Sequence, residues 1–213
     1  TADIEHNGLT LNGVGSGTKI ENIYVLESAD DAIEFFGGTV NVTNLLAVNP
    51  DDDMFDFTQG YSGTLKNCYG VWENGYTSTE ADPRGIEADG NLDGDYSDHL
   101  RQSDFTVENM TIVNNAANTT DNVDRMQDVI KIRRGAKATI TNALVKGSGG
   151  TIDLIDMNDS KGAGNAASSI SITHTLNFKN KLNGTLNTFT EPTTNTGADA
   201  SLFTWSGYNF SSL

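Results

Sequence analysis

One short pattern returns along this chain, and it restricts the fold more than any other feature of the sequence. In each copy, apolar and polar residues alternate around an asparagine, as in Ile20-Glu21-Asn22-Ile23. The asparagines that mark the copies are Asn22, Asn44, Asn67, Asn109 and Asn142, which lie 22, 23, 42 and 33 residues apart. Two of these steps fit a single turn of a coil, and the two longer steps require insertions.

A second pattern precedes each copy and supports the same repeat. It consists of an apolar, a polar and an apolar residue at 9–11, 33–35, 55–57, 86–88, 130–132 and 152–154. Alternation with a period of two is typical of a β-strand that buries one face. Six such strands in one register indicate a structural repeat.

A period near 22 residues is too short for a pair of helices, and the repeat is built from short β runs separated by glycine turns. These features predict an all-β chain that folds as a parallel solenoid of about six coils with surface loop insertions. We assign residues 1–180 to the solenoid and 181–213 to a C-terminal tail or cap. The aromatic end SLFTWSGYNF is predicted to cover the open last coil, whereas the Thr-, Asn- and Gly-rich stretch 183–200 also fits a flexible connection.

The recurring asparagines have a structural explanation in such a stack. An amide at the same turn of every coil hydrogen-bonds to the equivalent amide of the next coil, and the five residues then form a ladder. Asparagine also tolerates the left-handed backbone that a sharp turn requires.

The segments NGLTLNGVGSGTKIENI, DDAIEFFGGTVNV, RGIEADGN and VIKIRRGAKATITNALVKG resemble right-handed parallel β-helix proteins of the pectate-lyase-like superfamily. They resemble more narrowly a group of secreted or surface-anchored proteins from bacteria of the Bacteroidetes type. The resemblance covers roughly residues 7 to 149. It implies a right-handed parallel β-helix, and a secreted or outer-surface location in a bacterium. Members of that group usually carry further coils upstream, so the chain is expected to be a fragment.

The charge of the chain limits its partners. The net charge is -16 and the isoelectric point is near 4.3, which argues against nucleic acid as a partner because phosphate binding needs a basic surface.

No run of about 18 apolar residues is present, so the sequence predicts no transmembrane segment. Cys68 is the only cysteine, and its position in the repeat predicts an inert core residue. The sequence does not define an oligomeric state.

The polar middle residues of the second pattern are predicted to form one column along a sheet. Two positions further on the same face lies a second set, and aspartates flank the strands, with an arginine in the equivalent place of the fourth. The first set is Thr10, Glu34, Asp56, Glu87, Lys131 and Asp153; the second is Asn12, Phe36, Thr58, Asp89, Arg133 and Ile155; the flanking residues are Asp31, Asp53, Arg84 and Asp128.

Neighbouring carboxylates in such a column repel each other by about 3 kcal/mol at an effective dielectric near 20. Protonation, a basic neighbour or a bound metal ion relieves that repulsion. Oxygen ligands favour Ca²⁺, with Glu34, Asp56 and Glu87 as candidate ligands. Because no His or Cys lies in the column, a zinc site is not expected.

Three interpretations of this face remain open. It is a solvated surface whose ion pairs set the register of the coils, a groove that binds glycans or partner proteins, or a catalytic site. The groove interpretation takes Glu34, Asp56, Glu87, Asp89, Arg84, Lys131 and Arg133 as binding residues, with Phe36, Tyr61, Trp72 or Tyr76 as stacking platforms for sugars.

The catalytic interpretation comes from the resemblance. Polysaccharide lyases of the superfamily place acidic Ca²⁺ ligands beside a Lys or Arg that removes a proton α to a uronic carboxylate. Lys131 and Arg133 match that base in residue type, but no lyase signature surrounds them. His99 lies in a Gly- and Asp-rich insertion and is predicted to be solvated, and neither His6 nor His174 has an obvious partner. The sequence therefore favours a non-enzymatic surface module, with a Ca²⁺-dependent lyase and a purely structural spacer as alternatives.

Overall fold

The computed structural model describes residues 6–91, 94–96, 98, 101–116 and 125–213. Its regular structure is almost entirely β, with short 3-10 helices at Ala200–Ser206 and Phe210–Ser212. The strands are β1 Leu9–Asn12, β2 Lys19–Leu26, β3 Ile33–Phe36, β4 Asn41–Val48, β5 Phe55–Thr58, β6 Thr64–Trp72, β7 Ile86–Ala88, β8 Asp104–Asn114, β9 Met126–Ile132, β10 Lys137–Gly147, β11 Thr151–Asp156, β12 Ser169–His174 and β13 Thr188–Thr190.

The strands form two sheets in which every pair of neighbours is parallel. The first sheet has the order β1-β3-β5-β7-β9-β11, and the second has the order β13-β12-β10-β8-β6-β4-β2. Up to β11 the chain therefore places one strand in the first sheet, turns, places the next in the second sheet, and returns one level further along. This winding is a parallel β-helix, as the repeat predicted.

The register of the second sheet follows the asparagine spacing. Ile20 pairs with Val42, Val42 with Leu65, and Leu65 with Val107, so both the single turns and the 42-residue step bring equivalent residues side by side. The insertions thus leave the stack undisturbed.

The core lies between the two sheets and is stacked in the same order as the strands. Phe35 lies on Phe57 with ring centroids 5.2 Å apart, and Phe57 lies on Phe105 at 4.0 Å. All three rings are fully buried. Cys68 is also fully buried and pairs with Leu45 and Met110, as expected for a core residue, and burial raises the pKa of its thiol.

The register predicted for residues 152–154 is wrong. Asp153 pairs with Asp128, and Asp156 pairs with Lys131, so the strand is shifted by three residues from the expected alignment. Ile155, expected on the outer face, is fully buried. The strand contains two apolar-Asp pairs, Ile152-Asp153 and Ile155-Asp156, and the local pattern fits either register.

The aromatic C-terminal end does not cover the last coil. Residues 192–213, here called the C-terminal strap, run back across the outer face of the second sheet towards β4 and β2. Phe203 of the strap is fully buried in an apolar cluster separate from the core. Strand β13 within 183–200 pairs with β12, so this stretch is not a free connection. The division at residue 180 stays a prediction.

Candidate functional site

Two columns of polar side chains run along the outer face of the first sheet. Strand pairing aligns Thr10 with Glu34, Glu34 with Asp56, Asp56 with Glu87, and Glu87 with Lys131. The residue three positions earlier in the chain lies at the start of each strand or just before it, and these residues form the neighbouring column. The inner column is Thr10, Glu34, Asp56, Glu87, Lys131 and Asp156, and the entry column is Asn7, Asp31, Asp53, Arg84, Asp128 and Asp153.

The middle of the two columns is charge-balanced around Glu87. The Arg84 guanidinium lies 3.0 Å from Glu87 Oε2, and Arg133 contacts the other oxygen, Oε1. Arg133 also holds Asp89, with nitrogen–oxygen distances of 3.1 Å to Asp89 Oδ1 and Oδ2. Arg134 lies 3.2 Å from Asp89 Oδ1. Glu87 and Asp89 are therefore neutralised by protein cations.

In the C-terminal part of the columns, one basic residue, Lys131, lies among the three carboxylates of Asp128, Asp153 and Asp156. Lys131 is paired with Asp156, and Asp153 Oδ1 accepts a hydrogen bond of 2.8 Å from Asn180 Nδ2. Burial raises the pKa of Asp128 to about 6, because the opposing effects of Lys131 and Arg84 offset only part of the desolvation. Both candidate catalytic bases, Lys131 and Arg133, are thus engaged in ion pairs.

The N-terminal part of the columns carries carboxylates without such cations. Glu34 Oε2 accepts a hydrogen bond from Asn7, and Asp31 Oδ1 accepts one of 3.0 Å from the Asp53 backbone N–H. Asp53 is 1% exposed and its Oδ1 has no hydrogen-bond partner, and Asp56 Oδ1 is buried without one as well. Burying a carboxylate in this way costs free energy unless it is protonated or meets a cation.

The cost of burial appears as a raised pKa in these carboxyl groups and in the adjacent Asp52. Burial raises the pKa of Asp31 to about 9 and that of Asp52 to about 8, and nearby carboxylates add to both shifts. Burial also raises the pKa of Asp53 and Asp56 well above the usual range of an aspartate. At neutral pH these raised pKa values favour protonated carboxyl groups or a nearby cation.

Three of these carboxylates come close enough to share one ion. Asp31, Glu34 and Asp56 each offer an oxygen, and the three oxygens lie within 4.8 Å of one another. Glu87, a sequence candidate for the same ion, is held by Arg84 and Arg133 instead. The oxygen donors and the unpartnered Asp56 Oδ1 fit a hard cation such as Ca²⁺.

A groove of about 510 Å³ opens on this face, over the columns. Two aromatic rings line it, Phe36 from the end of β3 and Tyr96 from the insertion after β7, and Tyr96 is 51% exposed. The polar lining is Glu34, Asp56, Thr58, Gln59, Glu87, Asp89, Asp95 and Arg133. Tyr96 was not among the residues predicted from the sequence. The only indication there is its aromatic side chain within a Gly- and Asp-rich insertion.

Most of the aromatic residues predicted to stack on sugars lie elsewhere. Tyr61 and Trp72 are fully buried, with the Tyr61 hydroxyl donating to Val40 O at 2.7 Å and Trp72 Nε1 donating to Pro50 O at 3.0 Å. Tyr76 packs on Trp72 with ring centroids 5.5 Å apart. Of the four, only Phe36 reaches the groove. His99 lies outside the described residues.

The repeated asparagines lie on the opposite sheet, and three of the four neighbouring pairs are joined by a side-chain hydrogen bond. Asn44 Nδ2 donates to Asn22 Oδ1 at 2.9 Å, Asn67 Nδ2 to Asn44 Oδ1 at 2.9 Å, and Asn142 Nδ2 to Asn109 Oδ1 at 2.8 Å. All five have positive φ angles between 52° and 59°, the left-handed region that asparagine tolerates.

Fold and site together define a parallel β-helix protein with an acidic groove on one sheet. The model of the pectate-lyase-like beta helix domain family matches residues 1–207, and the chain belongs to this family. Comparison with curated proteins and with solved structures gave no match. Among the described residues, no helix has the length and apolar character needed to cross a membrane.

Proposed function

We propose that this chain is a non-enzymatic module that binds glycans or partner proteins through the groove on its first sheet. We further propose that it works in the secreted state or on the outer surface of a bacterium. The family membership supports a glycan-related role, because a pectate-lyase-like β-helix is consistent with one. The observation that carries the proposal is the groove itself, an open cleft that combines aromatic rings with carboxylates.

The groove has the two kinds of groups that sugars need. Carboxylate oxygens of Glu34 and Asp56 accept hydrogen bonds from hydroxyl groups, and the rings of Phe36 and Tyr96 offer apolar faces to pyranose C–H groups. The pairing of Lys131 with Asp156 and of Arg133 with Glu87 and Asp89 favours binding over catalysis, because an ion-paired base is a poor proton acceptor.

Binding is tested with a glycan array, followed by calorimetry on the glycans retained. Phe36→Ala is expected to weaken binding about tenfold, the factor that corresponds to about 1.4 kcal/mol of lost stacking. Trp205→Ala is the matched control, because Trp205 is 43% exposed and lies in the C-terminal strap, which crosses the other sheet. Equal binding by the Phe36 variant and the wild type would place the ligand elsewhere.

The second candidate is a Ca²⁺-dependent polysaccharide lyase acting on acidic glycans. The close approach of Asp31, Glu34 and Asp56 favours it, since these residues would hold the ion, which would neutralise a uronate carboxylate. Lys131 or Arg133 would then have to leave its ion pair to take the proton α to that carboxylate. The electron pair of that C–H bond would form a double bond between the α and β carbons, the C–O bond from the β carbon to the leaving sugar would break, and the leaving oxygen would take a proton from the protonated base or from water.

The lyase candidate has a direct assay. Its product absorbs in the ultraviolet, so uronate polymers incubated with the protein and Ca²⁺ should show rising absorbance that Lys131→Ala or Arg133→Ala abolishes. Flat absorbance together with glycan binding supports the module and excludes the lyase.

Calcium itself is tested by the melting temperature. A ligand that binds only the folded state raises it, so millimolar Ca²⁺ should stabilise the wild type and not Asp56→Asn. The control is Asp104→Asn, because Asp104 is exposed and lies on the second sheet. An unchanged melting temperature in the wild type would exclude the ion.

A further inference from the structure

The C-terminal strap covers an apolar patch on the outer face of the second sheet. Phe203 packs edge-on against Tyr69 with ring centroids 6.3 Å apart, and Phe210 does so at 4.9 Å. The Tyr208 hydroxyl donates to Glu73 Oε1 at 2.8 Å. The side chains of the sheet that take part in this cluster are Leu46, Val48, Tyr69, Val71 and Val113. Without the strap, these residues would form an exposed apolar patch, which favours association.

The backbone of the strap is held by side chains of the sheet. The N–H of Thr196 donates to Asn142 Oδ1 at 2.8 Å, that of Ala198 to Thr111 Oγ1 at 2.9 Å, and that of Asp199 to Asn67 Oδ1 at 2.7 Å. These acceptors lie on β10, β8 and β6, so the strap crosses the strands and does not pair with them as a strand. Opening a segment that is held by a few separate hydrogen bonds requires less free energy than separating a strand from a sheet.

The strap begins at a cluster of charged side chains next to the end of β12. His174 Nε2 lies 2.7 Å from Glu191 Oε1, and Lys181 Nζ lies 2.7 Å from the same oxygen. His174 and Glu191 line a common cleft with Lys181, Thr173, Pro192, Thr193 and Ile172. Thr173 also donates its hydroxyl to Pro192 O, which fixes the residue after Glu191 to the same strand.

Both ring nitrogens of His174 face acceptors. Nδ1 lies 3.1 Å from the carbonyl oxygen of Leu176, and Nε2 faces the Glu191 carboxylate. A neutral imidazole carries one N–H and would point a lone pair at one of these oxygens, whereas the imidazolium donates to both. The remaining contact of the ring is apolar, an edge-on approach to Phe178 at 5.2 Å.

The geometry points to a latch: protonated His174 fastens the C-terminal strap through Glu191, and loss of that proton loosens the strap and uncovers the apolar patch. Histidine changes its charge between about pH 5 and 8. Lys181 and His174 lower the pKa of Glu191, so the carboxylate stays ionised on the acidic side. Lys181 is 56% exposed, and an exposed pair of this kind contributes little by itself. The latch is therefore closed at mildly acidic pH and loosens as pH rises above neutral.

Hydrogen–deuterium exchange of the full chain at pH 5.5 and pH 8.5 tests the latch, with rates corrected for the intrinsic pH dependence of amide exchange. Amides of residues 196–213 should exchange about tenfold faster at pH 8.5. The loss of one charge-assisted hydrogen bond lowers the free energy of opening, and this factor is the corresponding change in the opening equilibrium. His174→Gln should exchange at the faster rate at both pH values. Lys181→Gln is the control and should keep the pH step.

Two results would overturn the latch: equal corrected rates at the two pH values in the wild type, or a pH step that persists in His174→Gln. Peptides from β3 and β5 of the first sheet, which the strap does not cover, serve as the internal reference for folding: at each pH their protection should be the same in His174→Gln as in the wild type. If His174→Gln loses that protection, Glu191→Gln replaces it, because it keeps the imidazole and removes its charged partner. The same fast exchange at both pH values is then expected.

Discussion

At the scale of single residues, the asparagines of the second sheet combine two roles. Each has a left-handed backbone, which costs most other residues about 1 kcal/mol or more, and each offers an amide to its neighbours in the stack. Asn44 illustrates both, since it donates to Asn22 and accepts from Asn67. The repeat of asparagine along the sequence follows from this double requirement.

Asn44→Ala is therefore expected to lower the free energy of unfolding by about 2–3 kcal/mol, about 1 for each hydrogen bond and the rest for the backbone. Urea titration measures the loss. Asn44→Gly is the matched variant, because glycine keeps the left-handed backbone at no steric cost and loses only the hydrogen bonds. A glycine variant less stable than the alanine variant would contradict the role assigned to the backbone.

At the scale of elements, the two sheets use their outer faces differently. The first sheet carries the acidic columns and the groove, and the second is covered by the C-terminal strap. The strap is anchored by Phe203, which is fully buried, whereas Trp205 two residues later is 43% exposed. The strap thus adds a second apolar layer to a fold whose main core lies between the sheets.

Phe203→Ala should destabilise the protein by about 3 kcal/mol or more, the usual cost of truncating a buried phenylalanine. It should also promote self-association, since the apolar patch is uncovered. Thermal unfolding and light scattering measure the two effects. Trp205→Ala should change neither quantity appreciably, and a Phe203 variant that stays monomeric and fully stable would show that the strap does not protect the sheet.

At the scale of the whole molecule, buried carboxylates link stability to pH. Burial raises the folded-state pKa of Asp31 to about 9 and of Asp52 to about 8, above the value near 3.9 of an unfolded aspartate. The folded state then binds protons more tightly than the unfolded state. Their contribution is fully present below about pH 4 and is lost as pH rises towards 8–9.

The melting temperature, measured in a chelator so that no metal compensates, should accordingly fall between pH 5 and pH 9. Asp53→Asn should reduce this fall and raise the melting temperature at pH 9, because the pKa of Asp53 is also raised by burial and the amide carries no charge. Glu21→Gln is the control, as Glu21 is exposed and paired with Lys19. A melting temperature that rises over this range would contradict the sign of the linkage.

The sequence by itself determined the parallel stack, because the period of two within strands and the spacing of asparagines are local and repeat along the chain. The alignment of Glu34, Asp56, Glu87 and Lys131 followed from the same period. Tertiary structure decided the rest. The register of β11 was ambiguous because two apolar-Asp pairs compete locally, and only contacts with β9 select one. Contacts between residues far apart in sequence place the ion pairs around Glu87, bring Tyr96 to the groove and set the path of the strap. No local pattern encodes such contacts.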